Sequence, residues 1–413
     1  MAKRLDNKGR VLPPHVSQRS NGTYIIRFVS KSGAKICLYA KTLEEAKEKC
    51  ANAIADTNRG VVAKIDVSTT LEDAVEKMLE DKKLTIKIAT KNNYDRVFTK
   101  HIKGTTLGRR KLSDVTQSDV KKHLLTLATK KGLSYGTIQL VKSVLKSACD
   151  IAVNDGALYR NPCNGVMKEI KKACKPTERK EALTQEEQSA FLNFVKGSNC
   201  YKRYYPFFVV LFGSGLRHGE ATGLRRCDIS IKNGTIDVNH CVVYLKENGA
   251  FKFLVSTPKT ENGFRVVDMV PGVQKAFKEQ IEYLTAHNLP RDFEIVADNG
   301  ERYSDFLFVT KEGKPFSTGF TEQLIKRIVK QYNKAEEAQA LTEGRRPKPL
   351  RNFSAHICRH SFATRFVENS NAFDVLQKEM GHSDYNFTLN RYCDTQTQRR
   401  RAVMESIGDR IMA

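Results

Sequence analysis

Apolar positions recur along the chain in three textures. Gly22-Thr23-Tyr24-Ile25-Ile26-Arg27-Phe28-Val29-Ser30 and Lys35-Ile36-Cys37-Leu38-Tyr39-Ala40 flank the turn-like Lys31-Ser32-Gly33-Ala34, which predicts a hairpin. Thr42 with Glu45 three residues on predicts a helix start, and Ala46, Cys50, Ala53 and Ile54 give that helix an apolar face. Residues 1–60 therefore read as a small sheet of about three strands plus one helix.

Val61 to Asp66 holds few large apolar residues and reads as a linker. From Thr70 the period becomes helical: Leu71, Ala74, Met78 and Leu79, then Tyr94, Val97 and Phe98, then Val120, Leu124 and Leu127, then Ile138, Val141, Val144, Leu145 and Ala148. Thr70, Thr116 and Ser134 supply N-caps, and the last of these helices carries Lys142 and Lys146 on its exposed side. An all-α bundle over 66–170 is expected, stopped by Asn161-Pro162-Cys163-Asn164 and followed by a basic tether over Lys171 to Lys180. Leu183-Thr184-Gln185-Glu186-Glu187 opens a mixed, mainly α, domain over 181–413. Tyr205 to Phe212 is a buried apolar run there; 235–243, 251–255 and 264–270 read as strands; helices resume at 273–287, 320–339 and from His356 onward. The fold class is multidomain: sheet-plus-helix module, helical bundle, mixed α+β domain.

Charge adds a partner. The 413 residues carry 70 Lys+Arg against 46 Asp+Glu, a net +24, which points to a polyanion. Residues 1–60 hold 12 basic against 5 acidic side chains (+7), and residues 66–175 hold 22 against 12 (+10), so a nucleic-acid grip would begin there. The amino end lacks an apolar signal core and no run of about 18 apolar residues occurs, so neither secretion nor membrane insertion is expected, and the reading is cytoplasmic. Ten cysteines without a C-x-x-C pair argue against a disulfide framework or zinc site.

Several short phrases carry candidate chemistry. In Gly215-Leu216-Arg217-His218-Gly219-Glu220, Arg217 sits at a loop-to-helix junction, where its fork can offer two N–H bonds to a phosphate while Glu220 holds it; a purely structural pair is the alternative. Lys259 lies between two strand-like runs, near a hairpin tip, able either to donate a proton or simply to be solvated. His356 and Arg359 fall on one helical face and can bracket one oxyanion. His356 and His360 have the spacing of a helical zinc pair, but Ile357 stands where the accompanying Glu belongs, so no metal is expected. Gly381-His382 precedes Tyr392 by ten residues, and a phenol needs neighbouring cations or a base to act as a nucleophile.

Taken in order, Arg217 with Glu220, Lys259, His356-x-x-Arg359-His360-Ser361, Gly381-His382 and Tyr392 resemble the tyrosine recombinase (phage-type integrase) family across the whole third domain. The resemblance implies that Tyr392 attacks the scissile phosphate to form a 3′-phosphotyrosyl link. Arg217, Arg359 and a histidine would bind the non-bridging oxygens, and Lys259 would protonate the 5′-oxygen. His356 would serve as acid/base support or oxyanion ligand, His382 as a phosphate hydrogen bond, and Glu220 and His360 as supports, with no cofactor. Strand exchange would pass through a Holliday junction. The bundle resembles the family's core-binding domain, and residues 1–60 resemble the arm-binding module of integrases from phages and conjugative transposons, with Tyr24, Arg27, Lys35 and Tyr39 as candidate DNA contacts. Departures are Arg226 where the family often has Trp, Cys358 where it has Leu, and Met380 where Leu usually precedes the Gly-His phrase.

Expected partners are double-stranded DNA with core-type and arm-type sites, three further copies of the chain in a tetramer, an excisionase and a host DNA-bending protein. Val403, Met404, Ile407, Ile411 and Met412 give the C-terminal tail an apolar face, either for a neighbouring protomer or for self-packing. The competing readings are a type IB topoisomerase, a chromosome-dimer resolvase, which would lack residues 1–60, and a binding-only descendant of an integrase.

Overall fold

The computed structural model describes residues 4–29, 35–58, 69–83, 85–174, 181–247, 249–258, 261–297, 299–370 and 372–381. The chain divides into two compact units, Met1–Glu178 and Arg179–Ala413.

The first unit begins with a three-stranded antiparallel sheet of β1 (Val16–Gln18), β2 (Tyr24–Val29) and β3 (Lys35–Ala40), followed by α1 (Leu43–Asn58). The Thr42 hydroxyl accepts from the Glu45 N–H at 3.2 Å, so α1 starts at the cap its sequence offers. Tyr24, Ile26, Ala40, Leu43, Ala46 and Cys50 form its core. Strand register decides which side chains face that core. Tyr24 pairs with Ala40 and Ile26 with Leu38, on the face covered by α1, while Arg27 pairs with Cys37 and Ile25 with Tyr39 on the other.

Five helices follow: α2 (Leu71–Lys82), α3 (Ile88–His101), α4 (Gln117–Thr129), α5 (Tyr135–Asn154) and α6 (Met167–Ala173). Thr70 with Asp73 and Thr116 with Asp119 close reciprocal capping boxes, satisfying N–H groups that the helix ladder leaves unpaired. Their apolar stripes share one core that includes Leu71, Val75, Leu124, Ile138 and Leu145. Lys171 and Lys172 belong to α6, so the expected tether is helical at its start; only residues 175–180 fall outside the described set.

The second unit opens with α7 (Gln185–Gly197), α8 (Tyr205–Ser214) and α9 (His218–Gly223). Strands β4 (Ile229–Ser230) and β5 (Thr235–Val238), hairpin β6 (Cys241–Glu247) with β7 (Ala250–Ser256), and β8 (Arg265–Asp268) come next. Then come α10 (Pro271–Ala286), the short pair β9 (Ile295–Val296) and β10 (Arg302–Tyr303), α11 (Thr318–Thr342), α12 (Ala355–Asn369) and α13 (Phe373–Met380). The apolar run 205–212 is helix α8, buried on nearly every side and packed against α7, α10 and α12. The expected strand 235–243 breaks at Asn239-His240 into β5 and β6, which belong to different sheets.

A larger correction concerns residues 257–264. Strand β7 pairs with β6, whereas β8 pairs with β5, so β7 and β8 are not partners in one hairpin.

Phe191, fully buried, meets Phe208 edge-on at 4.9 Å and Phe353 at 5.0 Å, tying α7, α8 and the approach to α12 together. Replacing it with alanine opens a cavity that these rigid rings cannot fill. We expect Phe191→Ala to destabilise the second unit by about 3–5 kcal/mol, read as a lower urea midpoint.

Candidate active site

Helix α8 ends at Gly215, whose φ of 65° lies in the left-handed region. A Cβ there would approach the Phe362 ring of α12 to 2.5 Å, so glycine is required twice over, for backbone and for packing. Leu216 is fully buried and plugs the turn, which delivers Arg217 to the position just before α9. Its N–H donates to Glu220 Oε2 at 2.9 Å and its Nη1 donates to Glu220 Oε1 at 2.7 Å. The Arg217 side chain stays 45% exposed, so the guanidinium is held from behind and open in front.

Glu220 is buried and serves a second arginine. Arg265 Nη2 donates to its Oε2 at 2.8 Å and Nη1 to its Oε1 at 3.3 Å, with the Arg265 side chain only 6% exposed. Burial pushes the Glu220 carboxyl up, but the Arg265 hydrogen bonds and charge, the Arg217 charge and the Arg217 N–H together pull it down to about 2. Arg265 was not among the residues singled out from the sequence. The signal was present: the strand alternation of Arg265-Val266-Val267-Asp268 puts residue 265 on the same face as the fully buried Val267, where an arginine requires a partner.

Arg359, one turn into α12, is 2% exposed. Its Nη1 donates to the Gly215 carbonyl at 2.6 Å and its Nη2 to the Met380 carbonyl at 2.7 Å. Arg265 Nε donates to the Glu379 carbonyl at 2.7 Å and Arg217 Nη2 to the Gly381 carbonyl at 3.2 Å. Three arginines from three elements thus take three consecutive carbonyls at the C-terminal end of α13. Gly381 there has φ of 60°, and a Cβ would meet the Asn262 carbonyl oxygen at 2.8 Å and Arg265 Nη1 at 3.1 Å.

His218, beside Arg217, is held by burial down at about 4 and is therefore neutral near pH 7; its Nε2 hydrogen-bonds the Thr321 hydroxyl at 2.8 Å, tying α9 to α11. His356 lies exposed in the first turn of α12, and His360 is half-buried. The structure therefore brings Arg217, Glu220 and Arg359 together and adds Arg265, while His356 sits at the surface one turn from Arg359. Lys259, His382, Tyr392 and the C-terminal tail lie outside the described residues.

Among the expected DNA contacts, Tyr24 is corrected. It is 2% exposed, its hydroxyl donating to Asp6 Oδ2 and accepting from Arg10 Nη2, both at 2.8 Å, so it is a core residue. Arg27 and Tyr39 are exposed on the opposite face, where the Arg19 guanidinium lies 5.4 Å from the Tyr39 ring centroid. Lys35 pairs with Val29 in the ladder. Lys142 is half-buried on α5, and Lys146 is ion-paired with Asp150 at 2.5 Å, which Asn161 also engages at 2.7 Å.

Chemically the cluster is cationic: Arg217 and Arg265 share the Glu220 carboxylate, while Arg359 donates to backbone carbonyls. A half-exposed fork of fixed orientation beside a buried arginine suits a phosphodiester. Among the described residues, no group of three or more His, Cys, Asp or Glu side chains converges as a metal site would require, and no helix is long and apolar enough to cross a membrane.

Residues 181–399 match the phage integrase family, and residues 1–54 match the DNA binding domain of Tn916 integrase. The transposase from transposon Tn1545 of Streptococcus pneumoniae is 28% identical, with 98% of this chain and 97% of the relative covered. The transposase from transposon Tn916 of Enterococcus faecalis is 27% identical over the same shares. A solved Tn1549 transposon integrase in complex with a circular intermediate DNA is similar at 30% identity and a TM-score of 0.69, covering 82% of this chain and all of that one. The same integrase with transposon right end DNA is similar at 29% identity and a TM-score of 0.70, with the same coverage.

Glu220 links pH to stability. Its folded pKa lies below the ordinary carboxylate value of 4.5, so its contribution is full above that value and is lost as pH falls toward about 2. That contribution is about 3 kcal/mol. Glu220→Gln should therefore be markedly less stable than the parent protein at pH 7, with the gap narrowing as pH falls from 5 toward 3, as urea unfolding at each pH will show.

Proposed function

The chain belongs to the phage integrase family, and from that premise we propose how its residues divide the work of strand exchange. It is a tyrosine recombinase, a DNA strand-transferring enzyme that performs site-specific recombination for the integration and excision of a transposon. The chemistry is transesterification. The Tyr392 phenolic oxygen attacks the scissile phosphorus, a phosphorus–tyrosine oxygen bond forms, and the bond from phosphorus to the 5′-oxygen breaks. The 5′-hydroxyl of the partner strand then attacks the phosphotyrosine and releases Tyr392. One phosphodiester is exchanged for another, so bond energy is retained, and two such rounds pass through a Holliday junction.

Arg217 and Arg359 neutralise the non-bridging oxygens, with His382 adding a hydrogen bond. The observation that carries this reading is the Arg217 fork, locked by Glu220 yet nearly half exposed, converging with Arg359 on adjacent carbonyls. Lys259 gives a proton to the departing 5′-oxygen. His356, exposed at the start of α12, takes the proton from Tyr392 or supports the oxyanion. Glu220 and His360 act as supports.

Residues 1–60 read arm-type sites through the face that carries Arg27 and Tyr39, with Lys35 as a further contact, a reading supported by the match of residues 1–54. The bundle over 66–170 grips core-type sites, with Lys142 and Lys146 as contacts, Lys146 exchanging Asp150 for phosphate; the catalytic domain occupies 181–413. Two duplexes present four strands, each cut by one tyrosine, so the working assembly is a tetramer, aided by an excisionase and a host DNA-bending protein in the cytoplasm.

Incubating the full chain with nicked DNA carrying an element end, without magnesium, should give a covalent protein–DNA band on a denaturing gel. Tyr392→Phe should bind the same DNA and give no band. A band that persists in the variant overturns the assignment of the nucleophile.

A further inference from the structure

Arg265, its side chain only 6% exposed, joins three parts of the site. Its fork is anchored on Glu220, the carboxylate that orients Arg217. Its Nε donates to the Glu379 carbonyl in the last turn of α13, and its Nη1 also donates to the Gly263 carbonyl at 3.3 Å, four residues after Lys259. Gly381 packs so closely on it that even a methyl group there would meet Nη1 at 3.1 Å. The geometry is over-determined: four hydrogen bonds from one rigid plane address a carboxylate and two carbonyls, an arrangement no other side chain can reproduce.

We propose that Arg265 is a positioning residue for phosphodiester transesterification, setting the Arg217 guanidinium through Glu220 and fixing the α13 terminus from which the chain runs to Tyr392. The proposal rests on the recombinase reading above. A buried arginine could be merely a stability element, and then its loss would be independent of Arg217. A positioning role makes the two losses overlap, because an Arg217 already compromised has little left for Arg265 to orient.

The test is a double-mutant cycle on the full chain with a nicked suicide DNA at saturating concentration, measuring single-turnover cleavage and, separately, DNA affinity. Arg265→Met should slow cleavage about 100-fold, the scale expected when a charged group is displaced by about 1 Å, and leave DNA affinity within about threefold. Combined with Arg217→Lys, it should slow cleavage by no more than about threefold beyond Arg217→Lys alone. Arg265→Lys keeps a charge beside Glu220 but cannot also reach the Glu379 carbonyl, so it should recover about tenfold over the methionine variant. Should Arg265→Met fail to fold, the cycle is run with Arg265→Lys. Cleavage within about threefold of the parent in the Arg265 variants, or full multiplication of the two losses in the double variant, overturns the positioning role. Absence of cleavage in the parent protein would strike the recombinase reading itself, which separates the two failures.

Discussion

The second unit turns on one buried carboxylate. Bringing Glu220 out of water costs several kcal/mol, and only two guanidiniums at hydrogen-bond distance, one from the start of its own helix and one from β8, make the site tenable. That requirement fixes the relation between α9 and β8 before any ligand arrives. It also leaves excess positive charge, because a single carboxylate cannot neutralise Arg217, Arg265 and Arg359, and the excess faces outward through Arg217.

A second constraint follows at the end of α13. Its last carbonyls have no intrahelical partners, and the helix dipole makes that end negative. Arg265, Arg359 and Arg217 each take one of the carbonyls of residues 379, 380 and 381. The groups proposed to bind the scissile phosphate are therefore coupled mechanically to the terminus that leads toward the proposed nucleophile. Anything that moves that terminus changes the donors offered to phosphate, which gives this architecture a direct link between substrate contact and placement of the attacking residue.

Much of this was legible in the chain. Helix starts at Thr42, Thr70, Thr116, Ser134 and Thr184 follow from local hydrogen bonding that needs no tertiary partner. The pairing of Arg217 with Glu220 is also local, three residues apart on one turn. Arg265 was hidden in a strand pattern read for its valines, and its partner lies 45 residues away. The hairpin assigned to residues 257–264 failed because two strands adjacent in sequence chose different sheets, a choice made by the packing of the whole unit.

The sequence by itself determined the order of chemical groups, the excess positive charge and the helix starts, because these depend on residue type and on short-range hydrogen bonding. Tertiary structure alone decided that Tyr24 is a core residue while Arg27 and Tyr39 face outward, since sheet parity matters only once a helix covers one face. It alone decided which arginine is exposed and which are buried. Burial, not residue type, makes Arg217 the open guanidinium and turns Arg265 and Arg359 toward carbonyls, because a buried cation must be satisfied wherever the fold leaves acceptors.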